Sequence, residues 1–193
     1  MTISFQPDST NSTNISAGLS ALSKNHIIQR IWEHDHTVWK PEPTEISNRL
    51  GWLTIIDLMH KESPRMQALA NDLQREGYRD VLLLGMGGSS LAPEVFSHTF
   101  PETGLKLSVL DSTDPGAVRG AANSIDPQKT LFIVATKSGG TVETLSFFKY
   151  FYNQFDNALG AENIGKHFIA ITDPGSKLVD LAERFQFREI YLN

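Results

Sequence analysis

The stretch Val81-Leu82-Leu83-Leu84-Gly85-Met86-Gly87-Gly88-Ser89-Ser90-Leu91-Ala92-Pro93 decides the fold of this chain. Its unbroken apolar run is typical of a buried strand, and the glycines and serines that follow predict a tight turn into a helix. Three glycines at positions 85–88 cost on the order of 2 kcal/mol in backbone entropy. Close helix packing offsets part of this cost. An anionic ligand at the amides of the helix N-terminus would offset more of it.

Apolar runs recur along the C-terminal part of the chain, and helical patterns separate them. The runs span residues 81–84, 107–110, 131–135, 168–171 and 189–192. Continuous apolar strands that alternate with helices are typical of a parallel sheet covered on both faces and joined by right-handed crossovers. The sequence therefore predicts a doubly wound α/β domain with a five-stranded parallel sheet over residues 78–193.

The N-terminal part of the chain is predicted to be helical. Residues 1–18 are rich in serine, threonine and asparagine, and we expect them to form a disordered tail. Apolar residues at helical spacing predict about three helices in a helical extension over residues 19–77. The first runs from Leu19 to before Lys40, the second follows Thr44 as its N-cap to about Lys61, and the third begins at Ser63-Pro64 and ends at Gly77.

Composition and charge exclude several classes of protein. The 193 residues include 17 basic and 22 acidic side chains, a net charge of −5, with no basic cluster of the kind that follows a phosphodiester backbone. The chain has no cysteine, which excludes disulfides and cysteine-ligated metals. His34 and His36 stand two residues apart, a spacing that favours a solvated surface over a metal site. We expect no cofactor, no metal, no nucleic acid, no membrane and a cytoplasmic location.

A second polar loop, Thr136-Lys137-Ser138-Gly139-Gly140-Thr141, follows the predicted strand 131–135. We call it the hydroxyl loop, and we call Gly85–Ser90 the glycine loop. Three hydroxyls, a glycine pair and a lysine suit a phosphate group, since each hydrogen bond to a charged group contributes about 1.5–3 kcal/mol. Such residues also cap helices, so one loop alone leaves the function open. Two such loops at strand ends of one sheet favour a phosphate site, because doubly wound folds bind ligands there.

Two other interpretations of the glycine loop compete with a phosphate site. A dinucleotide-binding turn has the pattern Gly-x-Gly-x-x-Gly/Ala with an acid at the end of the next strand; Ser90 departs from the pattern, whereas Asp111 fits it. Such a domain has no need for the hydroxyl loop. The glycine loop also lacks the Gly-Lys-Ser/Thr ending of a P-loop, which argues against an ATPase. Glu143, just inside the next predicted helix, either complements the helix dipole or orients a sugar hydroxyl.

Together the two loops resemble a pair of segments in glucose-6-phosphate isomerases. Gly85 to Pro93 is similar to their Gly-Ile-Gly-Gly-Ser-x-Leu-Gly-Pro segment, and Thr136 to Thr144 is similar to their Ser-Lys-Thr/Ser-x-Thr-Thr-x-Glu segment. Trp39-Lys40-Pro41 and Asn48-Arg49-Leu50-Gly51-Trp52 look like the isomerase part of bifunctional transaldolase/isomerase proteins, without a transaldolase barrel. The resemblance implies the sugar isomerase (SIS) fold with flavodoxin-like strand order, and interconversion of glucose 6-phosphate and fructose 6-phosphate.

The resemblance also implies roles for particular residues. Gly88 and Ser89 would lie against the sugar phosphate, and Glu143 would help to place the sugar. The residues that would grip the phosphate belong to the hydroxyl loop: Thr136, Lys137, Ser138 and Thr141. The chain departs from the family pattern at Met86, Ala92, Thr136 and Gly140, and the last departure removes one potential hydroxyl donor.

The catalytic groups of the family are expected outside this chain. In the family, a Gly-Gly-Arg motif and a second SIS domain with a catalytic glutamate, a histidine and a lysine follow the strand that corresponds to 189–192. No residue of this chain matches them, so we expect an N-terminal portion with no catalytic residue of its own. A stand-alone regulatory module that binds phosphosugars is the alternative, and a dinucleotide-binding domain is less favoured. The sequence leaves the oligomeric state open.

Overall fold

A computed structural model describes residues 9–100 and 104–193 of the chain. The chain divides into two compact units, residues 1–59 and 60–193. Within the described residues, no helix is long and apolar enough to cross a membrane.

The first unit is built from helices. Helices α1 (Ser9–Lys24) and α2 (Ile27–Trp32) are followed by short 3₁₀ helices at His36–Val38 and Ser47–Leu53. Helix α3 (Ile55–Arg75) begins in this unit and continues into the second.

The first predicted helix begins earlier than expected and is split in two. A helix occupies residues 9–18, where we expected the tail, and the rest of that tail, residues 1–8, lies outside the described residues. Ile15 continues the apolar pattern of Leu19 and Leu22 at spacings of four and three, which favours a helix over these residues, although all three side chains are exposed. The split follows from His26, whose left-handed φ of 51° precedes α2.

The boundary predicted at Ser63-Pro64 is wrong, because α3 passes through it without ending. Thr44 likewise does not cap a helix: Glu45 has a left-handed φ of 61°, and the 3₁₀ helix that follows has Ile46 at its N-cap. Positions at alternating spacings of four and three keep one helical stripe across the proline: 55, 59, 62, 66, 69 and 73. The predicted end is confirmed, since Gly77 has a φ of 87° and follows the last turn of α3.

The second unit contains the predicted parallel sheet. Its strands are β1 (Asp80–Gly85), β2 (Lys106–Leu110), β3 (Thr130–Ala135), β4 (Phe168–Thr172) and β5 (Glu189–Leu192). All neighbouring pairs are parallel, and the order is β2-β1-β3-β4-β5. This confirms the five-stranded doubly wound fold and its flavodoxin-like order.

Helices cover both faces of this sheet. They are α4 (Gly88–Thr99), α5 (Pro115–Asn123), α6 (Val142–Leu159) and α7 (Lys177–Arg184). One face packs the phenylalanines of α6 against alternate strand residues, with Phe132 stacked on Phe168 at a centroid distance of 4.8 Å. The other face packs Leu69 and Leu73 of α3 against Leu131, Ile169 and Tyr191. The alternation of side chains along each strand sends them to these two cores.

Strand order reverses between β1 and β3. The chain leaves β1 towards β2 at one side of the sheet and leaves β3 towards β4 at the other. Gly85 at the end of β1 pairs with Ala135 at the end of β3. The glycine loop and the hydroxyl loop therefore start at neighbouring strand ends, at the topological switch point where such folds bind ligands.

Candidate functional site

The glycine loop turns sharply from β1 into α4. Gly87, at the N-cap of α4, has φ 55° and ψ −120°, a conformation that residues with a Cβ rarely adopt. Ser90 is buried, and its Oγ donates a hydrogen bond of 2.9 Å to the Gly87 carbonyl. Gly88 is exposed and Ser89 is half-buried. The turn thus leaves the two residues predicted to face a ligand on the accessible side of the loop.

Gly85, at the end of β1, has too little space around it for a side chain. A Cβ at Gly85 would lie 3.2 Å from the Ser89 Cβ and 3.3 Å from the Ser89 carbonyl oxygen. Contacts of this length require the neighbour to shift. A side chain at position 85 would therefore displace Ser89.

The hydroxyl loop is ordered by its own hydrogen bonds. Thr136 is 3% exposed, and its Oγ1 lies 2.8 Å from the Oγ1 of Thr141. The Gly140 amide donates to the Ser138 Oγ over 3.3 Å, while Gly139 takes a left-handed φ of 67°. Thr141 is the N-cap of α6, and its side chain makes no capping hydrogen bond to the helix. The loop therefore gathers three hydroxyls at a helix N-terminus, which favours an anion.

The end of β4 and the turn that follows it contact the hydroxyl loop and hold its backbone. Thr172, which is fully buried, donates its hydroxyl hydrogen to the Thr136 carbonyl over 2.7 Å. Since that proton is used, the Ser176 Oγ, 2.7 Å away, is the donor in its bond to the Thr172 Oγ1. A Cβ at Gly139 would lie 2.7 Å from both the Ser176 Oγ and the Leu178 amide nitrogen. The loop therefore rests directly on the turn that begins α7.

Lys137 and Glu143 occupy exposed positions beside the loop. The Lys137 ammonium lies 3.5 Å from Asp173 Oδ2, and the Asp173 amide donates to the Lys137 carbonyl over 3.1 Å. Asp173 thus offsets part of the positive charge that Lys137 would offer to a phosphate. Glu143 lies in the first turn of α6 and is exposed.

Several residues of this region were not singled out from the sequence. Thr172, Asp173 and Ser176 follow a predicted strand, but Thr172 and Asp173 bond to the hydroxyl loop about 36 positions away, as in the Thr172–Thr136 bond with a separation of 36. Thr144 is fully buried, and its hydroxyl has no hydrogen-bond partner among the described residues. The density of small polar residues at 172–176 was the signal that could have indicated the support.

The sheet brings the donors of the two loops close together. Neighbouring strands lie about 4.8 Å apart, so the two loops emerge side by side with their hydroxyl and amide donors. Over residues 9–100 and 104–193, no group of three histidine, cysteine, aspartate or glutamate residues is placed to hold a metal ion. His36 is one of the two histidines that the sequence analysis weighed as a candidate metal site. Its Nε2 lies 3.0 Å from the Pro41 carbonyl oxygen.

These features define a doubly wound α/β domain with two loops, rich in glycine and hydroxyl groups, at its topological switch point. The sequence profile of the phosphoglucose isomerase family matches residues 71–189, which include all five strands except the last three residues of β5, and both loops. The chain therefore belongs to the phosphoglucose isomerase family.

Individual relatives agree with this assignment. Residues of this chain are 36% identical over 130 positions to a glucose-6-phosphate isomerase of Thermus thermophilus, covering 67% of this chain and 30% of the relative. A glucose-6-phosphate isomerase of Cyanothece sp. is 37% identical over 110 positions, covering 55% of this chain and 20% of the relative. The chain thus spans less than a third of the length of these curated relatives.

Solved structures share the fold. A hypothetical protein of Thermus thermophilus superposes with a TM-score of 0.66 at 27% identity, covering 90% of this chain and 40% of that one. A glucose-6-phosphate isomerase of Chlamydia trachomatis superposes with a TM-score of 0.62 at 22% identity, covering 87% of this chain and 30% of that one. The likeness at 22% identity speaks for the fold alone.

Proposed function

We propose that this chain is the sugar-phosphate-binding SIS domain of an aldose–ketose isomerase that interconverts glucose 6-phosphate and fructose 6-phosphate. One observation carries the proposal: in a member of the phosphoglucose isomerase family, two donor-rich loops leave paired strand ends at the switch point. The curated relatives named above are glucose-6-phosphate isomerases, which gives the substrate its chemical class.

In this proposal the phosphate lies between the two loops. The hydroxyls of Thr136, Ser138 and Thr141 and the ammonium of Lys137 donate to its oxygens, and the backbone at Gly88 and Ser89 closes the other side. Each such bond to a charged oxygen contributes about 1.5–3 kcal/mol. Thr172 donates to the carbonyl of Thr136, Ser176 in turn donates to the Thr172 hydroxyl, and these two bonds fix the direction of the loop.

The chain offers fewer candidate contacts to the sugar than to the phosphate. Glu143 is exposed in the first turn of α6, beyond the hydroxyls, and its carboxylate would accept a hydrogen bond from a sugar hydroxyl. The aldose–ketose reaction moves one proton between C2 and C1 through an enediol, and it needs a base within hydrogen-bond reach of both carbons. We assign no residue of this chain to that step, and residues 1–193 alone should bind but not isomerise.

Calorimetry with fructose 6-phosphate tests the binding site. Replacing Ser138 and Thr141 together by alanine removes two hydroxyl donors, and we expect the affinity to fall at least tenfold, a change of about 1.4 kcal/mol or more. Ser146→Ala is the matched control. The Ser146 hydroxyl lies in α6, just after the hydroxyl loop, and it donates to the Val142 carbonyl outside the loop.

Three results would contradict the proposal or a part of it. An affinity unchanged in the double variant would mean that the hydroxyl loop does not hold the phosphate. Binding of NAD in preference to fructose 6-phosphate would favour the dinucleotide interpretation. Conversion of fructose 6-phosphate by a pure sample of residues 1–193 would contradict the claim that catalysis needs other groups, while leaving the binding site in place.

A further inference from the structure

A polar cavity lies at the amino ends of the strands, at the opposite end of the sheet from the two loops. Its volume is about 360 Å³, and we call it the amino-edge cavity; its lining is formed largely by Glu76, Tyr78, Gln128, Lys166, His167 and Arg188. Three of these residues lie just before a strand: His167 directly before β4, Arg188 directly before β5, and Tyr78 two positions before β1. A strand of five or six residues spans about 17–20 Å. The cavity is therefore separated by the length of the sheet from the two loops at the carboxyl ends.

Arg188 is the unusual residue of this cavity. Its side chain is only 19% exposed, and its Nη2 donates to the carboxylate of Glu76. The guanidinium carbon lies 5.5 Å from the centre of the Tyr78 ring. The second terminal nitrogen, Nη1, is buried and has no hydrogen-bond partner in the described part of the chain. A buried donor on a charged group that lacks an acceptor costs more than the roughly 1–3 kcal/mol of a neutral one.

The charges around Arg188 favour an anion. Lys166, whose Nζ donates to Asn163 Oδ1 over 3.0 Å, adds a second positive charge to the lining, against the single carboxylate of Glu76. His167 donates from Nδ1 to the Thr130 carbonyl over 3.1 Å, and burial lowers the pKa of its imidazole, so it adds no charge at neutral pH. The formal charge of the lining residues is therefore +1. The hydrogen-bond donor without a partner, Arg188 Nη1, belongs to one of the two positively charged groups.

We propose that the amino-edge cavity is a binding site for a small oxyanion, held by Lys166 Nζ and by the Arg188 guanidinium, whose buried Nη1 turns towards the cavity when the anion binds. An oxygen of a phosphate or carboxylate group would then give this N–H a charge-assisted acceptor, which is the partner that guanidinium groups bind best. The volume exceeds that of one phosphate group, so a small organic anion also fits. The site is independent of the sugar-phosphate loops and of the reaction proposed for them.

Titration of the ¹⁵N-labelled chain, observed by NMR, tests this site. Inorganic phosphate and citrate are added separately at constant ionic strength, with sodium chloride as the reference. The Ser138→Ala/Thr141→Ala variant serves as the background, so that phosphate bound at the hydroxyl loop does not enter the measurement. We expect saturable shifts of the backbone amides of Lys166, His167 and Arg188 with at least one of the two oxyanions and none with chloride.

Substitutions on this background assign the binding to the cavity. Lys166→Met should weaken it at least fivefold, and Arg188→Met should abolish it. Lys149→Met is the matched control, because it removes the same charge from the exposed surface of α6 and should leave binding unchanged. If loss of the Glu76 bridge unfolds the Arg188 variant, the exposed Lys166 still decides the question. Shifts that are linear in concentration, or equal in the Lys166 and Lys149 variants, would overturn the site and leave a cavity that holds water.

Discussion

Gly139 and Gly140 are neighbours in the hydroxyl loop, yet the structure gives them different tolerance for a side chain. Gly139 has a φ of 67°, and a Cβ there would lie 2.7 Å from backbone and side-chain atoms of the α7 turn. The nearest atom to a Cβ at Gly140 is 3.9 Å away. The family pattern has threonine at position 140, which agrees with the open space found there.

Gly139→Ala should therefore lower the free energy of unfolding by about 2 kcal/mol or more, since both a strained φ and a backbone clash oppose it. Gly140→Ala should change it by less than about 1 kcal/mol. Urea unfolding of the two variants beside the unsubstituted chain measures both effects. Equal stability of the two variants would show that the loop does not rest on the α7 turn as described.

The elements of this protein were predictable where the sequence pattern and the tertiary environment agree. The three central strands, β1, β3 and β4, are short apolar runs that are largely buried, and the edge strands β2 and β5 are only partly buried. The apolar pattern was sufficient to find all five strands, and their order was implied by resemblance to a known family. Helix α3 was mispredicted because Ser63-Pro64 has the local features of a helix start, and because Glu62 interrupts the apolar stripe that continues on both sides of it. A proline tolerated by a well-packed helix cannot be told from a boundary by local rules.

The interior position of Pro64 leads to a prediction for α3. Proline in a helix interior costs about 3 kcal/mol relative to alanine, and its stiffening of the unfolded chain returns only about 0.4–1 kcal/mol. Pro64→Ala should therefore raise the free energy of unfolding, by about 2 kcal/mol. Pro115→Ala is the control, because Pro115 begins α5, where proline is favourable, and its loss should be neutral or slightly destabilising. Thermal unfolding of both variants checks this, and a less stable Pro64 variant would contradict an uninterrupted α3.

At the scale of the whole molecule, the two loops could be found from the sequence, but the long-range bonds that support them could not be assigned. Glycine and hydroxyl residues after apolar runs mark the loops locally. The bonds from Thr172 to Thr136 and from the Arg188 side chain to Glu76 join residues 36 and 112 positions apart. Such pairs are set by strand order and register, which place distant segments at one edge of the sheet. The amino-edge cavity was invisible for the same reason.

His167 couples the stability of the second unit to pH. Burial lowers the pKa of its imidazole below the ordinary value of 6.5, while its Nδ1–H bonds the Thr130 carbonyl and its ring packs on Tyr78 at a centroid distance of 5.2 Å. Below pH 6.5 the unfolded chain binds a proton at this residue that the folded unit resists, so the free energy of unfolding falls as the pH is lowered from about 7 towards the folded pKa. One group contributes at most about 1.4 kcal/mol per pH unit.

The variant His167→Phe keeps an aromatic ring beside Tyr78 but cannot titrate. It should therefore lose this part of the pH dependence, even though its overall stability shifts with the lost hydrogen bond. Urea unfolding at about pH 7.5 and about pH 5.5, on either side of the ordinary histidine pKa, followed through the amide signals of β4 in buffers without phosphate or citrate, measures the difference between the two proteins. An identical decrease in both would place the titrating group elsewhere, and a smaller decrease in the chain with His167 would reverse the sign derived from its burial.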